Sequence, residues 1–560
     1  MVKTNSKRLA ARFAIFAAVV ILALSSSFLS VSAAAVGSSD IAYDAGKAYY
    51  NSDYGNLNDE NSVFQSVTWE QAVYLFQQEG NYLILLGGSW CPNTTAVIDY
   101  INEAAKAAGV ETIYNLDFRF DGTSGDSHIR ETNGSDKAGA AYNYLYGELV
   151  TRYLTNLNDW VEYTVDSESA LTYTNSEGKD ITVPKAQVPF LFLYNKDNAE
   201  NHAGDTVAGE KYPVVYGFEK MVYRDVNGGK KLFTSSKTQD GTTEVTDYSA
   251  QLNDAIFDRI KSENIKLSSF TDADYIRLAY NEKSGKSIFE KDDKINIQTV
   301  TYKQLEWLLA QDGNYLILFG GSWCGNTQAV IDIINDYAVE NGLTVYNFDT
   351  KLDGGYAKKF WSYSGDLHIR DNDNAFVKLY VDLVLEYLNN IETEYTVDSG
   401  NYIFYQTDPA DESIKVIANK LQVPYLFAYN KDAVDENGHD IPILGYVEKM
   451  YVLDESREDY IGNEKNLEDY TTAAFGVINA YKTGSAAEII DENTPQAANV
   501  NSFDNANVDT AAENAEIDAQ TANNTPKIII AVVGIAAVIG VVIFLAVGKN
   551  RSNNNGGGCC

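Results

Sequence analysis

One motif recurs 233 positions apart: Gly87-Gly88-Ser89-Trp90-Cys91-Pro92-Asn93-Thr94 returns as Gly320-Gly321-Ser322-Trp323-Cys324-Gly325-Asn326-Thr327. Each copy follows a strongly apolar run and precedes a helical pattern, so a lone cysteine falls twice at a strand-to-helix turn. The order of elements around the two copies is the same, which makes the chain a tandem repeat with one candidate reactive thiol per copy. At 560 residues, two folded units plus accessory segments are expected.

Within each repeat, Thr68 with Gln71 and Thr301 with Gln304 place a capping-box signature at the start of a first helix. Buried strands are expected over Tyr82–Leu86 and Tyr315–Phe319, followed by the cysteine helix with Val97, Ile101 and Ala105, or Val330, Ile334 and Tyr337, at helical spacing. A strand holding Ile113-Tyr114-Asn115 or Val345-Tyr346-Asn347 comes next. Long helices are then expected over 137–156 and 375–390, and hairpin insertions begin near Glu162 and Glu394. Strands Phe190–Tyr194 and Tyr425–Tyr429, a further strand near Pro213 or Ile443, and closing helices over 248–263 and 467–482 complete the pattern. Helices alternating with strands and ending in a strand hairpin imply an α/β layered fold with a mixed sheet.

The ends of the chain carry different signals. Lys3, Lys7, Arg8 and Arg12 precede an apolar run and the small residues Val31-Ser32-Ala33-Ala34, an order that reads as a secretory signal peptide over residues 1–33. Residues 527–548 include an apolar run long enough to cross a bilayer, and Lys549 and Arg551 behind it keep the tail, 549–560, cytoplasmic. Residues 485–526 contain no Lys or Arg and few large apolar side chains, which reads as a disordered acidic stalk. The expected layout is therefore a spacer over 34–61, domain 1 over 62–266, a linker over 267–294, domain 2 over 295–484, then stalk, transmembrane helix and tail. The protein is expected to be a type I single-pass membrane protein with both domains extracytoplasmic. A net charge of −35 argues against nucleic acid as a partner. The four cysteines, Cys91, Cys324, Cys559 and Cys560, do not form a disulfide framework. No repeat offers cysteine and histidine pairs at zinc spacing, so no metal is expected.

The Ser-Trp-Cys-x-x turn, together with Gln187-Val188-Pro189-Phe190 and Gln422-Val423-Pro424-Tyr425 ahead of the next strand, resembles the thioredoxin-like superfamily. The resemblance implies two tandem thioredoxin-like domains, each a mixed sheet flanked by helices. It also implies that Cys91 and Cys324 are nucleophiles, that Pro189 and Pro424 are cis, and that Val188, Pro189, Val423 and Pro424, with Trp90 and Trp323, dock an extended peptide. The sequence departs from the family pattern in one respect: Thr94 and Thr327 stand where the second cysteine of CxxC would be. An intramotif disulfide cannot form, which leaves monothiol chemistry.

A cysteine at a helix N-terminus is placed where the helix dipole favours thiolate, and the hydroxyl of Thr94 or Thr327 is expected to donate to the sulfur. Two further loops, Gly125-Asp126-Ser127-His128-Ile129-Arg130 and Gly365-Asp366-Leu367-His368-Ile369-Arg370, follow a parallel strand and so reach the same sheet edge. His128, Arg130, His368 and Arg370 there either stabilise a thiolate or cap a helix and pair with an acidic neighbour. The function expected is thiol-disulfide exchange on exported proteins or peptides bearing cysteines, isomerase-like or reductase-like, with no resident cofactor beyond an external thiol reductant. The alternative is a non-catalytic cell-surface binding protein or adhesin that keeps the fold.

Overall fold

The computed structural model describes residues 45–55, 57, 59, 61–120, 122, 129–130, 137–220, 243–354, 376–393, 402–406, 415–448 and 464–484. The expected leader, stalk, transmembrane segment and tail lie outside the described residues, as do His128, His368 and Arg370. Among the described residues, no helix is long and apolar enough to cross a membrane.

Repeat 1 runs α1 (Ala45–Tyr54), β1 (Phe64–Ser66), α2 (Trp69–Phe76), β2 (Tyr82–Leu86), α3 (Pro92–Ala107), β3 (Ile113–Leu116), α4 (Lys137–Tyr153), β4 (Leu171–Thr174), β5 (Asp180–Val183), β6 (Phe190–Tyr194), β7 (Val214–Glu219), α5 (Thr243–Leu252) and α6 (Asp258–Ser262). Repeat 2 runs α7 (Asp272–Ser284), β8 (Ile297–Thr299), α8 (Tyr302–Leu309), β9 (Tyr315–Phe319), α9 (Gly325–Asn341), β10 (Val345–Phe348), α10 (Val377–Tyr387), β11 (Tyr402–Gln406), β12 (Lys415–Asn419), β13 (Tyr425–Tyr429), β14 (Ile443–Glu448) and α11 (Glu464–Thr483). The two five-stranded sheets have the same order, β1-β3-β2-β6-β7 and β8-β10-β9-β13-β14. In each, the first three strands are mutually parallel, the fourth (β6 or β13) runs antiparallel to them, and the fifth (β7 or β14) runs antiparallel to the fourth.

The central strands are buried at every position because helices cover both faces of each sheet. That is why Tyr82–Leu86 and Tyr315–Phe319 read as continuous apolar runs and not as alternating ones. Both first helices start on the expected capping box. Thr68 Oγ1 accepts from the Gln71 amide at 3.1 Å while Gln71 Oε1 accepts from the Thr68 amide at 2.8 Å. Thr301 and Gln304 repeat the exchange at 3.2 and 3.0 Å. The insertions are separate two-stranded hairpins, β4–β5 and β11–β12.

Two segments depart from the expected layout. Residues 34–61, read as a spacer, contain α1, and residues 267–294, read as a linker, contain α7. Their buried stripe is rich in tyrosines in a polar background: Tyr49, Tyr50 and Tyr54 in α1, and Tyr275 and Tyr280 beside Ile276 and Ala279 in α7. A tyrosine ring supplies apolar area while its hydroxyl makes the sequence look polar, so such a helix reads as polar yet packs as core. Tyr50 Oη donates to Asn115 Oδ1 at 2.6 Å.

Asn115 then ties the cysteine turn to the sheet, its Nδ2 donating to the carbonyls of Leu85 at 2.9 Å and Gly87 at 2.8 Å. Asn347 does the same for Leu318 and Gly320, at 3.1 and 2.9 Å. Replacing Asn115 by Ala removes three hydrogen bonds at a buried position and strips the side-chain donor from two buried carbonyls. The expected loss is about 2–4 kcal/mol, measured as a lower urea midpoint at unchanged m-value.

Candidate functional site

The chain leaves β2 and β9 at their carboxyl ends and turns at once into α3 and α9. Cys91 and Cys324 are the N-cap residues of those helices, with extended backbone near φ −90° and ψ 118° (−92°, 117° and −89°, 118°). The turn is closed by Cys91 N donating to Gly88 O and Cys324 N to Gly321 O, both at 3.0 Å. Neither cysteine is in a disulfide.

Across from each thiol lies the proline loop. Val188–Pro189 and Val423–Pro424 are both cis peptides. Cys91 Sγ donates to Val188 O at 3.4 Å, and Cys324 Sγ donates to Val423 O at 3.5 Å. The structure thus brings together, in both repeats, the motif cysteine and the residue before the proline. Exposure is small: 6% for Cys91 and 0% for Cys324.

The threonines are placed differently from expectation. Thr94 and Thr327 are fully buried, and neither Oγ1 has a hydrogen-bond partner, so the anticipated hydroxyl-to-sulfur bond is not formed. Each threonine instead packs against the first glycine of its motif; a Cβ on Gly87 or Gly320 would lie 3.0 Å from the threonine Cγ2. In this arrangement the CxxT threonine fills the gap between helix and strand.

Trp90 and Trp323, expected to dock substrate, are half-buried and held from inside the protein. Trp90 Nε1 donates to Asp117 Oδ1 and Trp323 Nε1 to Asp349 Oδ1, each at 2.7 Å. A cation covers each ring: the Arg119 guanidinium 4.4 Å from the Trp90 centroid and the Lys351 ammonium 4.2 Å from that of Trp323. The second motif glycine is required by this packing, since a Cβ on Gly88 would sit 2.0 Å from Asp117 Oδ2 and 2.4 Å from Trp90 Nε1. Burial pushes the Asp349 carboxyl well above the usual carboxylate range, and Glu70 of the other repeat pushes it further, against the opposing hydrogen bond from Trp323. These acid and cation pairs were not singled out from sequence. Their signal was there: Asp-x-Arg and Asp-x-Lys directly follow the matched strands β3 and β10.

The proline loop is fixed on several sides. Tyr146 Oη donates to Pro184 O and accepts from Ala186 N, both at 2.7 Å. Arg130 Nη1 donates to Ala186 O at 2.5 Å, so this residue reaches the proline loop through its carbonyl. Glu219, at the end of β7, accepts from the amides of Gln187 and, at 2.6 Å, Glu162. Glu448 repeats the device, accepting from Gln422 N at 2.7 Å and from Thr393 Oγ1 at 2.9 Å. These two glutamates also escaped the sequence reading, because nothing near them marks a strand-end carboxylate as a loop anchor. Among the described residues, no group of three or more His, Cys, Asp or Glu side chains is placed to hold a metal ion.

Each repeat has a thioredoxin-like fold. The sheet order, the cysteine at the helix N-cap and the cis-proline facing it carry that assignment. No protein-family model matches the chain. No curated protein matches it either. Among solved structures the chain is similar to the crystal structure of ERdj5 in form II, at 9% identity and a TM-score of 0.13. The match covers 54% of this chain and 24% of the ERdj5 chain, so this protein spans about a quarter of that one. A likeness this slight carries no functional argument.

Burial raises the Glu219 carboxyl from its ordinary 4.5 to about 7, with Glu162 adding to the shift and the two amides and Arg130 opposing it. A carboxyl whose folded value is raised favours folding while protonated, so its contribution is present below about pH 4.5 and is lost as pH rises through about 7. Glu219→Gln is expected to flatten the fall in stability between those values, read as urea midpoints measured against pH for both proteins.

Proposed function

We propose that the protein is a membrane-anchored, extracytoplasmic monothiol exchange protein acting on cysteines of exported polypeptides. One observation carries this reading: in both repeats the only motif thiol sits at a helix N-terminus, against the carbonyl that precedes a cis-proline. An extended peptide pairing with that loop would bring its own sulfur to the cysteine. The leader pattern over 1–33 and the apolar segment over 527–548 support export and anchoring.

In the exchange step, Cys91 or Cys324 gives up its proton and its sulfur attacks one sulfur of a substrate disulfide. A mixed disulfide forms, and the substrate's other sulfur leaves with the bonding electron pair and takes a proton. A further substrate thiol then attacks the mixed disulfide and frees the motif cysteine. The net result is isomerisation, with no electrons gained or lost. If a small external thiol attacks instead, a second equivalent is needed to complete net reduction of the substrate.

The low exposure of both sulfurs and the unengaged threonine hydroxyls favour a second reading, a binding protein that docks peptides on the proline loop without chemistry. Trapping separates the two. Full-length protein expressed in its own envelope, alkylated and run on non-reducing gels is expected to show adducts that vanish in Cys91→Ser/Cys324→Ser. Absence of adducts, with partner capture intact in the double variant, would establish the binding reading. Since Cys91 is 6% exposed and Cys324 0%, a maleimide is expected to modify Cys91 before Cys324 in the folded protein, as peptide mapping would show.

A further inference from the structure

The two repeats pack on each other through matched parts. Glu70 and Lys303 are the second residues of α2 and α8. Asp53 and Lys283 each stand two residues before the glycine that follows α1 or α7, and both of those glycines, Gly55 and Gly285, have a φ of 65°. Gly122 and Gly354 close matched loops after β3 and β10, both at a φ of 61°.

Each half of the interface presses a helix residue of one repeat onto the loop glycine of the other. A Cβ on Gly354 would fall 2.3 Å from Glu70 Cδ, and one on Gly122 would fall 2.7 Å from Lys303 Cγ. Glu70, 5% exposed, accepts from Lys283 Nζ and from Tyr275 Oη, the latter at 2.7 Å. Lys283 Nζ also donates to Gly354 O at 2.6 Å. In the other half, α1 packs on α8 through Tyr49 and Trp307, 6.2 Å apart, and Asp53 and Lys303 border the same cavity. Lys303, which also lies 3.7 Å from Glu306 Oε2 on its own helix, favours the ionised form of Asp53 against burial.

This geometry is that of a two-fold dimer, in which the same patch is used on both sides. The charges, however, are exchanged between the halves. An acid on α2 bonds a base on α7, whereas a base on α8 shares a cavity with an acid on α1. If repeat 1 paired with a second repeat 1 in this way, Glu70 would meet Asp53; a pair of repeats 2 would set Lys303 against Lys283. Like charges at these partly buried positions oppose such pairs, while the mixed pair places opposite charges in both halves.

We propose that the contact face of each repeat is built to accept the other repeat and to reject a copy of itself. Its partner is therefore the sister repeat of the same chain, and the two thiol sites belong to one body. A cavity of about 60 Å³ between the repeats is bordered by Gly88 and Asp117 from one motif region and by Asp349 and Lys351 from the other. The aspartates that hold the two motif tryptophans thus border the same junction.

The test uses the full-length protein in detergent. E70K is expected to break the single cooperative unfolding of the wild type into two transitions and to speed protease cleavage of the connection at 263–271 by about tenfold, a factor that corresponds to about 1.4 kcal/mol of coupling. E70K/K283E restores the charge pair and is expected to return the cleavage rate to within about twofold of the wild type, the residual corresponding to a few tenths of a kcal/mol. A sharper arm is E70K/K303E, which makes each face complementary to itself. This variant is expected to open the internal pair and at least double the mass measured by light scattering relative to the wild type. The proposal is overturned if E70K/K283E remains as sensitive as E70K. It is equally overturned if E70K/K303E keeps the wild-type mass and a single transition. K303E, acting on the opposite half, repeats the first arm should E70K fail to fold.

Discussion

The bond from a motif cysteine to the carbonyl before a cis-proline joins the two parts of each repeat that lie farthest apart in sequence around the site. It spans 97 residues in the first repeat and 99 in the second. On one side it holds the start of the cysteine helix; on the other it holds a loop already fixed by a strand-end glutamate, Glu219 or Glu448, and in the first repeat also by Tyr146 and Arg130. Because S–H is a weak donor, the contact is governed by how closely the two loops are placed, and that placement comes from strands β2 and β6, or β9 and β13, pairing in full register. The sheet sets the distance and the thiol reports it.

Much of this frame was legible in the sequence, and for a physical reason. Strands covered by helices on both faces must be apolar throughout, so Tyr82–Leu86, Tyr315–Phe319, Phe190–Tyr194 and Tyr425–Tyr429 stand out at their observed limits. Thr68 with Gln71 and Thr301 with Gln304 marked helix starts because the capping box is a local, two-bond device. What stayed hidden depends on partners far along the chain. The tyrosine stripe of α1 has no local signature, since its meaning comes from Asn115 and from Trp307 of the other repeat, whose ring lies 6.2 Å from that of Tyr49. The same holds for Glu219, which is an ordinary glutamate until the amide of Gln187 is brought to it by the sheet.

The two copies are matched in plan and different in detail. Pro92 opens one cysteine helix and Gly325 the other; Arg119 covers one tryptophan and Lys351 its counterpart. One thiol keeps a trace of solvent contact and the other none. The charge exchange between Glu70 with Lys283 and Lys303 with Asp53 is the largest of these differences, because it turns duplicated faces into complementary ones. A tandem protein of this kind holds two similar sites in one body.

Each thiol donates to the proline-loop carbonyl, and the S–H stretching band tests that contact most directly. It falls in a spectral region otherwise clear of protein bands, and spectra of the wild type minus Cys91→Ser and minus Cys324→Ser isolate each sulfur. The account predicts one narrow band per cysteine, at lower frequency than a thiol in an apolar solvent and sharpened by a single geometry. A band at the unbonded frequency, or a broad band of the kind given by a solvent-exposed thiol, would contradict it.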